Sequence, residues 1–415
     1  MAWTPEAQAT NLGRVLGVST GAAANDIKTL YKATYLLNRE PELVFQQFAQ
    51  KQANLDIPLN KGDNVEFTRY APLADGSSTD GTPRVHFLLK EGFTPEPEPY
   101  YAQTVNAVLD EYGNFVEPSS RVWLTAFDPK LGGLSALLGI QSGKSLDLKI
   151  QNVLATGFMG IRADGDTTWS GEASITTTCT DNVTLTSTNL PTAIAADTDG
   201  TGVLVFISGR CQGLSRTYTY ASGTTLTVPT LPLLPQSGDK FRICSTFELT
   251  TGDKITAALV KKAVALLESQ ETPLFPDGYY HGVIPAGAMK YDFMNDTEYV
   301  NLKHYAAPKD LYRNLVGEFD NVRFHKDTHQ FKHTAGTLAT YVATAAPQMV
   351  SIFGREAFGN IKLAGKDQVF EICPPEFTTT NPLAMKGTMA WKNMYCPIVL
   401  NGAWGVNIFA VPTAL

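Results

Sequence analysis

Residues 278–327 read GYYHGVIPAGAMKYDFMNDTEYVNLKHYAAPKDLYRNLVGEFDNVRFHKD, and this stretch is the most informative part of the chain. The apolar run 279–284 predicts a β-strand, and a short helix with an Asn-Asp-Thr-Glu cap at 295–298 follows it. The run GEFDNVRF at 317–324 predicts a return strand. No side chains here have the spacing of a reaction centre, so the stretch predicts a structural role.

Composition narrows the class of protein. The chain has 415 residues, which is enough for two to three structural units, and 43% of them are hydrophobic. Only 18% are charged, which indicates either a surface covered by neighbours or a Thr/Ser/Gly-rich β surface. A net charge of −7 disfavours tight binding of nucleic acid but is compatible with a wall that encloses it.

The five cysteines show no CxxC spacing, so neither a zinc site nor a disulfide framework is expected. Free thiols in a reducing compartment are the simpler interpretation. No signal peptide is visible, and no apolar run has the roughly 18–20 residues of a membrane span, so no membrane partner is expected. No cofactor motif with correct spacing occurs. The cysteines are Cys179, Cys211, Cys244, Cys373 and Cys396.

The pattern along the chain predicts five regions. Residues 1–62 form an arm with helical spacing around 27–31 and again around 43–48. A strand and a long Gly/Pro-rich hairpin occupy 63–103. Two helices, 127–138 and 145–155, belong to a region spanning 104–163. Residues 247–415 begin with a helix near Asp253 and end with a hairpin signal at Asn401-Gly402 between two β-patterned runs.

The fifth region, residues 164–246, is Thr/Ser/Gly-rich and carries little charge. Its short β-patterned runs are separated by turn residues, which predicts an all-β sandwich or barrel inserted into an α+β unit. The predicted strands are 173–178, 183–187, 203–208, 216–220, 225–228 and 241–244.

Three motifs suggest chemistry, and each has a simpler interpretation. The run LGIQSGKS at 138–145 resembles a phosphate loop but lacks its first glycine at the right spacing, which favours a Gly-rich break between helices. His325, His329 and His333 recur every four residues, but their polar surroundings favour a solvated loop or helix face over a metal site. The pairs Asp292/Asp296 and Glu318/Asp320 could suggest acid–base work, but a structural interpretation is favoured. Asp296 and Glu298 lie around a helix break and are interpreted as caps, and Glu318 and Asp320 have Arg323 nearby for an ion pair.

Short runs of sequence are spread in order along the chain, from Gly62–Phe67 through 279–285 and 317–324 to Trp391-Lys392. In sequence and order they resemble runs of the major capsid proteins of tailed phages with the Hong-Kong-97-type fold, and most of all those of the coat proteins of N-four-like phages. The Tyr-Ala-Pro-Leu run and the Phe-Gly-Arg-x-Ala-Phe-Gly run are examples of these matches. They do not extend into residues 164–246, so the inserted β domain has no counterpart in the pattern. The matches fall at 62–67, 70–73, 279–285, 292–299, 317–324, 353–359 and 391–392.

The resemblance implies a fold with an N-arm, an extended hairpin over the adjacent subunit, a peripheral domain with a spine helix at 145–155, and an axial domain after about 250. It implies no enzyme activity and no cofactor. Structural or subunit-contact candidates are Lys90, Phe93, Tyr100, Asp296, Glu298, Glu318, Arg323, Arg355, Trp391 and Lys392.

The implied function is a coat protein that assembles with itself into hexamers and pentamers of an icosahedral shell, in the virion and first in the cytoplasm of a bacterial host. Implied partners are a scaffolding protein, a portal, a possible cement or decoration protein, and enclosed double-stranded DNA without sequence-specific binding. A phage receptor-binding or surface-decoration protein that uses the β domain is the alternative, and a hydrolase is disfavoured because no catalytic constellation is present.

Two further expectations concern the ends and the insertion. No long acidic helical segment precedes the arm, so we expect no proteolytic trimming of the N-terminus and a separate scaffold. The inserted domain is expected to face outward, and deletion of residues 165–246 is expected to leave the core folded. Chemical cross-linking between subunits is not supported, because Lys90 is the only lysine in the hairpin segment and no partner can be named for it.

Overall fold

The fold is described from a computed structural model of the chain. It describes residues 22–50, 56–57, 62, 64–70, 91–92, 100–125, 129–163, 172–176, 179, 181–188, 190, 201–244, 249, 252–305, 317–328, 348–364, 369–377, 379 and 381–413.

Five α-helices lie in these residues: α1 (Ala22–Arg39), α2 (Ser120–Thr125), α3 (Pro129–Gly157), α4 (Ala257–Ser269) and α5 (Thr297–Tyr305). Nineteen strands accompany them, so the structure is a mixed α+β fold, as the sequence predicts. They are β1 (Asp56–Ile57), β2 (Asn64–Tyr70), β3 (Ala102–Val108), β4 (Asp110–Val116), β5 (Met159–Arg162), β6 (Glu172–Ser174), β7 (Thr184–Thr186), β8 (Thr201–Phe206), β9 (Ser215–Ser222), β10 (Thr225–Thr227), β11 (Lys240–Cys244), β12 (Tyr280–Pro285), β13 (Glu318–Phe319), β14 (Val322–Asp327), β15 (Gln348–Phe353), β16 (Phe358–Leu363), β17 (Val369–Cys373), β18 (Thr388–Val399) and β19 (Gly405–Ala410).

The main sheet has the strand order β13-β14-β12-β15-β19-β5 and is mixed, because β12 runs parallel to β14 and β19 runs parallel to β5. Every residue of β12 is buried, which fits its continuous apolar sequence in the middle of a covered sheet. Helix α4 packs its apolar stripe against one face, with Leu259, Ala263 and Leu267 in the same core cluster as the strands. The predicted strand at 279–284 and helix after Asp253 are confirmed.

The return segment 317–324 is a tight hairpin rather than a single strand. Strands β13 and β14 pair antiparallel around Asp320 and Asn321, whose φ angles are 48° and 62°. Two consecutive left-handed residues are typical of a type I′ turn, and Asp and Asn tolerate that conformation better than other non-glycine residues.

The second sheet is built around the long strand β18, which pairs with β16 and β17 along one edge and with β4 along the other. Strand β18 alternates, so that Met389, Trp391 and Tyr395 point into the space beneath α3 and α1. The opposite face receives β2 and β3, which pack Val65, Phe67 and Ala107 near Ile361 and Ile398. The second sheet therefore lies between a helical layer and the base of the 64–108 segment.

The predicted pair of helices around a Gly-rich break is wrong, because α3 is one continuous helix of 29 residues. Gly139 and Gly143 lie within it and face α1 at very short range. A Cβ atom on Gly139 would lie 2.4 Å from the Tyr35 carbonyl oxygen, and one on Gly143 would lie 2.7 Å from that of Arg39. The glycines allow the backbones of the two helices to approach closely. An interpretation from helix propensity alone takes the same glycines as a break in the helix.

In the described part of the arm there is one α-helix, α1, which lies along α3 with Tyr31 and Tyr35 buried. Tyr35 donates a hydrogen bond of 2.7 Å to Ser142 Oγ, and Ser135 Oγ donates one of 2.8 Å to the Tyr31 carbonyl. The second predicted arm helix, around 43–48, is instead a short 3₁₀ turn at Phe45–Phe48. Four residues are too few for an α-helix, and packing of the Phe45 side chain holds the turn in place.

The predicted C-terminal hairpin is also wrong. Strand β18 belongs to the second sheet and β19 to the main sheet, so the chain crosses between sheets at Asn401-Gly402. Asn401 is extended and its side chain accepts from Ala403 N, and a Cβ atom on Gly402 would lie 2.4 Å from the Gly157 carbonyl. The glycine therefore permits close packing rather than a two-residue turn.

Strands are present at all six positions predicted for residues 164–246, and they form a six-stranded sheet in the order β6-β11-β8-β9-β10-β7. Its two end strands are joined, because Thr176 N donates to the Thr186 carbonyl at 2.9 Å just beyond β6. This hydrogen bond brings the two edges of the sheet together, and the strongly curved unit is called here the barrel unit (residues 172–244). Its interior contains Leu204, Phe206 and Phe241 among other apolar side chains.

Strand β8 is buried on both faces, and its residues divide between two cores. Leu204 and Phe206 point into the barrel unit, whereas Val203 and Val205, with Ile207 just after the strand, belong to the cluster of the main sheet. On neighbouring β11, the buried Arg242 donates from Nε to the Gly160 carbonyl at 2.8 Å. The barrel unit is therefore packed onto the main sheet over a continuous apolar contact.

Candidate functional site

Asp296 joins the starts of two helices. Its Oδ1 accepts from Glu298 N at 2.9 Å, at the beginning of α5, and its Oδ2 accepts from Ala257 N at 3.2 Å, at the beginning of α4. A carboxylate at a helix N-terminus satisfies free backbone amides and favours the helix dipole. One side chain thus fixes α4 and α5 relative to each other, which fits its predicted role as a cap.

Glu298 and Glu318 are engaged by cations on the surface. Glu298 Oε1 accepts from Lys261 Nζ on α4. Glu318 Oε1 accepts from Arg323 Nη2 at 2.6 Å, and Arg323 Nη1 also donates to Asp277 at 2.7 Å. The Arg323 hydrogen bond holds the pKa of Glu318 below its usual value. Arg323 thus ties the hairpin β13–β14 to the turn before β12.

A pair of histidines lies beneath the arm. His281 Nδ1 is 2.9 Å from His325 Nε2, and His281 Nε2 is 3.3 Å from Asp277 Oδ2. Because the carboxylate only accepts, His281 carries its proton on Nε2 and accepts from His325 through Nδ1. The Phe48 ring covers both imidazoles, with centroid distances of 4.7 Å to each.

The interpretation of His325 as part of a solvated loop or helix face is therefore wrong. His325 lies in strand β14, where burial, His281 and Arg323 together lower its pKa to about 4. Burial likewise lowers the pKa of His281. His329 and His333 lie outside the described residues. The predicted strand ended at Phe324, and the strand's extension to Asp327 is what moves His325 inside.

A buried carboxylate cluster holds the same part of the arm. Asp147 on α3 accepts from Phe45 N at 2.9 Å, and Gln151 Nε2 donates to both Asp147 Oδ2 at 3.0 Å and Asp327 Oδ2 at 2.8 Å. Burial, followed by the Asp327 charge among the effects that oppose ionisation, raises the pKa of Asp147 to about 7. Sequence reasoning missed this cluster. Its signal was a polar pair spaced by four residues, Asp147 and Gln151, within an otherwise apolar helix face.

The remaining site candidates are spread over the molecule. Trp391 is buried and donates from Nε1 to Gln141 at 3.3 Å, so it serves its own core. Lys392 is exposed and pairs with Glu111 at 2.7 Å. Tyr100 is exposed, with its ring 6.4 Å from that of Tyr70. Arg355 is half exposed and contacts the neighbouring Glu356 at 3.0 Å. Lys90 and Phe93 lie outside the described residues.

The described residues of the loop between β17 and β18 display large apolar side chains to solvent. Phe377 is 81% exposed, Leu383 is 73% exposed and Met385 is 58% exposed. The loop is anchored where Ser120 N donates to the Met385 carbonyl at 2.7 Å and where Lys386 pairs with Glu117 at 3.0 Å. Apolar side chains held out by a fixed backbone are typical of contact surfaces between proteins.

The chemical motifs do not form reaction sites in the part of the chain that the structure describes. The phosphate-loop-like run 138–145 is interior helix, so its backbone amides are not free to bind phosphate. Asp292 accepts from Thr413 N at 3.1 Å, so its carboxylate also has a structural partner. The residues that the structure describes contain no group of three potential metal ligands. They also contain no helix that is long and apolar enough to span a membrane.

No protein-family model and no curated protein matches the chain. Solved structures similar to it include the capsid of cyanophage Pam1, with 14% identity, a TM-score of 0.49, and coverage of 89% of this chain and 92% of that chain. The capsid of cyanophage P-SCSP1u has 12% identity, a TM-score of 0.48, and coverage of 88% and 89%. The capsid of Ralstonia phage GP4 has 13% identity, a TM-score of 0.46, and coverage of 89% and 90%. Likenesses this distant carry no argument about what the present chain does.

Proposed function

We propose that the chain is the major capsid protein of a tailed double-stranded DNA bacteriophage, with the Hong-Kong-97-type fold and closest to the N-four-like branch. The observation that carries the proposal is the coincidence of the ordered sequence matches with structured elements of one framework. The match at 62–67 leads into β2, the match at 279–285 is β12, and the match at 317–324 is the β13–β14 hairpin.

The arrangement of the parts fits a subunit that builds a shell. An arm helix lies on the 29-residue α3, which takes the place of a spine helix, and the base of a long hairpin lies on the outer face of the second sheet. The polar side chains of the candidate site form helix caps and ion pairs that hold helices and strands to one another. We propose that hexamers and pentamers form through the arm, the hairpin and the apolar loop between β17 and β18, since many weak contacts sum in a closed assembly.

The proposed partners follow from this role. The chain assembles with its own copies, with a scaffolding protein and with a portal, and a cement or decoration protein is a further candidate. It encloses DNA as a wall, in line with its net charge of −7. Assembly takes place in the bacterial cytoplasm, and the mature location is the virion.

Electron microscopy and analytical ultracentrifugation of the purified full-length chain test the proposal, alone and co-expressed with the scaffolding protein of the same genome. We expect hexamers, pentamers or closed shells in at least one condition. A chain that stays monomeric in both conditions would refute the capsid role. Stable trimers that bind bacterial surfaces would instead support a receptor-binding protein.

A pair of variants separates assembly from folding. The double change Phe377→Asp and Leu383→Asp places charge on the exposed loop without touching a buried residue, so we expect normal thermal unfolding but reduced assembly. Thr224→Asp adds charge on an exposed turn of the barrel unit and serves as the matched control. Equal assembly by both variants would exclude the loop as a contact.

A further inference from the structure

One turn of the barrel unit, residues 208–213, contacts the base of the 64–108 hairpin. Gln103 on β3 is 1% exposed, and its Nε2 donates to the Arg210 carbonyl of this turn. The Arg210 guanidinium in turn lies 4.4 Å from the centroid of the Tyr101 ring. A buried amide and a cation–π contact therefore join β3 to the barrel unit.

The other strand of the hairpin base meets the same turn. Gly213 has a φ of 72°, and a Cβ atom there would lie 2.6 Å from Arg69 Nη2 and 2.0 Å from Asn401 Oδ1. Arg69 Nη1 donates to the Leu400 carbonyl at 3.4 Å, and burial lowers the pKa of Arg69 to about 10. The Arg69 side chain is thus enclosed between the turn and the crossover that links the two large sheets.

The pairing register shows why these contacts matter. Arg69 and Gln103 are direct cross-strand partners, next to the Tyr70–Ala102 pair that ends the described part of the hairpin. On the inward face of β2, Val65 and Phe67 pack against the second sheet. The next residue on that face, Arg69, contacts the barrel unit instead. The base therefore rests on two separate supports, one apolar and one polar.

Contacts at two separate places fix the orientation of the paired strands β2 and β3, whereas a single contact would fix only their position. Paired strands with a single attachment twist and bend freely, and a two-stranded ribbon is only marginally stable alone. The turn itself is anchored to the main fold, because its Gly213 carbonyl accepts from Gly402 N at 2.8 Å and Gln212 donates to Gln270 at 3.1 Å. The barrel unit can therefore transmit a fixed orientation to the hairpin.

We propose that the inserted barrel unit acts as a brace that sets the direction in which the hairpin leaves the body, with Arg69, Gln103 and Arg210 as positioning residues. This deepens the proposed function and rests on it in one respect: in a shell, the braced hairpin would meet a second copy of this chain at a defined angle. The brace itself is a property of the single chain.

Hydrogen–deuterium exchange of the full-length protein before assembly tests the brace. The double variant Gln103→Ala with Arg210→Ala removes the amide hydrogen bond and the cation–π contact, so amides in 64–70 and 102–108 should exchange about tenfold faster. Thr68→Ala with Thr104→Ala is the matched control, because these exposed residues are cross-strand partners on the opposite face. Exchange at the control level in the double variant would overturn the proposal.

The single variant Arg210→Ala protects the test against misfolding, because it truncates only a partly exposed side chain and should raise exchange within the hairpin base alone. If exchange rises equally across the main sheet, the residues are merely structural and the brace is refuted. Shell formation is scored separately. If the double variant exchanges faster but the wild-type protein forms no shells, the brace is kept and the capsid role is refuted. Wild-type shells together with unchanged exchange in the double variant would do the reverse.

Discussion

At the scale of single residues, several carboxylates have a structural role, because they accept hydrogen bonds from backbone amides of other elements. Asp296 accepts backbone hydrogen bonds from two helices, and Asp147 holds the backbone of the arm. Such groups are valuable because a buried or terminal amide without an acceptor costs free energy.

We predict that Asp296→Ala lowers the free energy of unfolding by about 1–2 kcal/mol, since the starts of α4 and α5 each lose a cap. Asp296→Asn should recover part of the loss, because the amide oxygen still accepts. Glu298→Gln is the control, since solvent screening leaves an exposed ion pair with little effect on stability. Urea unfolding gives the comparison, and equal effects of Asp296→Ala and Glu298→Gln would show that the double cap is unimportant.

Asp147, which is buried, and His325, which is half-buried, predict opposite dependences of the free energy of unfolding on pH. The pKa of Asp147 is raised to about 7, so its protonated form favours the folded state. This contribution to the free energy of unfolding is fully present below the unfolded pKa near 4 and is lost as pH rises to about 7. The pKa of His325 is lowered to about 4, so its neutral form favours the fold above the unfolded pKa near 6.5, and this is lost as pH falls towards 4.

Relative to the wild type, the stability of Asp147→Asn should therefore rise with pH between about 4 and 7, and that of His325→Asn should fall. Each slope is at most about 1.4 kcal/mol per pH unit for one proton. Urea unfolding across this range measures both, and Lys392→Gln serves as a surface control. Slopes of the same sign for the two variants would contradict the assignment.

At the scale of elements, the contact between α1 and α3 depends on the absence of side chains. We predict that Gly139→Ala or Gly143→Ala destabilises the protein by about 1–3 kcal/mol, because the new methyl group meets a backbone carbonyl. Gly133→Ala has open space around the added atom and should instead stabilise α3 by roughly 0.5–1 kcal/mol. Thermal unfolding of the three variants distinguishes these effects, and a stabilising Gly139→Ala would contradict the close packing.

The elements also show what the sequence can predict. Alternation and turn residues found all six barrel strands and β12, because each of these strands is patterned locally. The continuous helix α3 was missed because the glycines that suggest a break respond to α1, which lies far away in sequence. The C-terminal hairpin was wrong for the same reason, since Asn401-Gly402 matches a turn locally but is constrained by Gly157. The Asp147 and His325 clusters form only when α3, β14 and the arm meet.

At the scale of the whole molecule, the contact of the barrel unit changes the expectation for its deletion. Val203, Val205 and Ile207 belong to the main core, so removal of residues 165–246 would expose apolar surface on the main sheet. Each such side chain contributes about 1.5–3 kcal/mol when buried.

We therefore predict that the deletion variant unfolds at a clearly lower temperature or aggregates, rather than keeping an intact core. Differential scanning calorimetry and size-exclusion chromatography give the readout. A deletion variant with wild-type thermal stability would show that the core does not depend on the barrel unit.

The two parts of the molecule differ in how far apart along the chain their paired strands lie. Every described strand of the barrel unit pairs within residues 172–244, whereas β5 of the main sheet pairs only with β19 near the C-terminus. During synthesis the barrel unit can therefore be complete while β5 still waits for a partner that has not been translated. Ribosome-stalled chains ending near residue 290 should contain a protease-resistant barrel unit. In the same chains, protease should still cleave around β5, because β19 has not been synthesised.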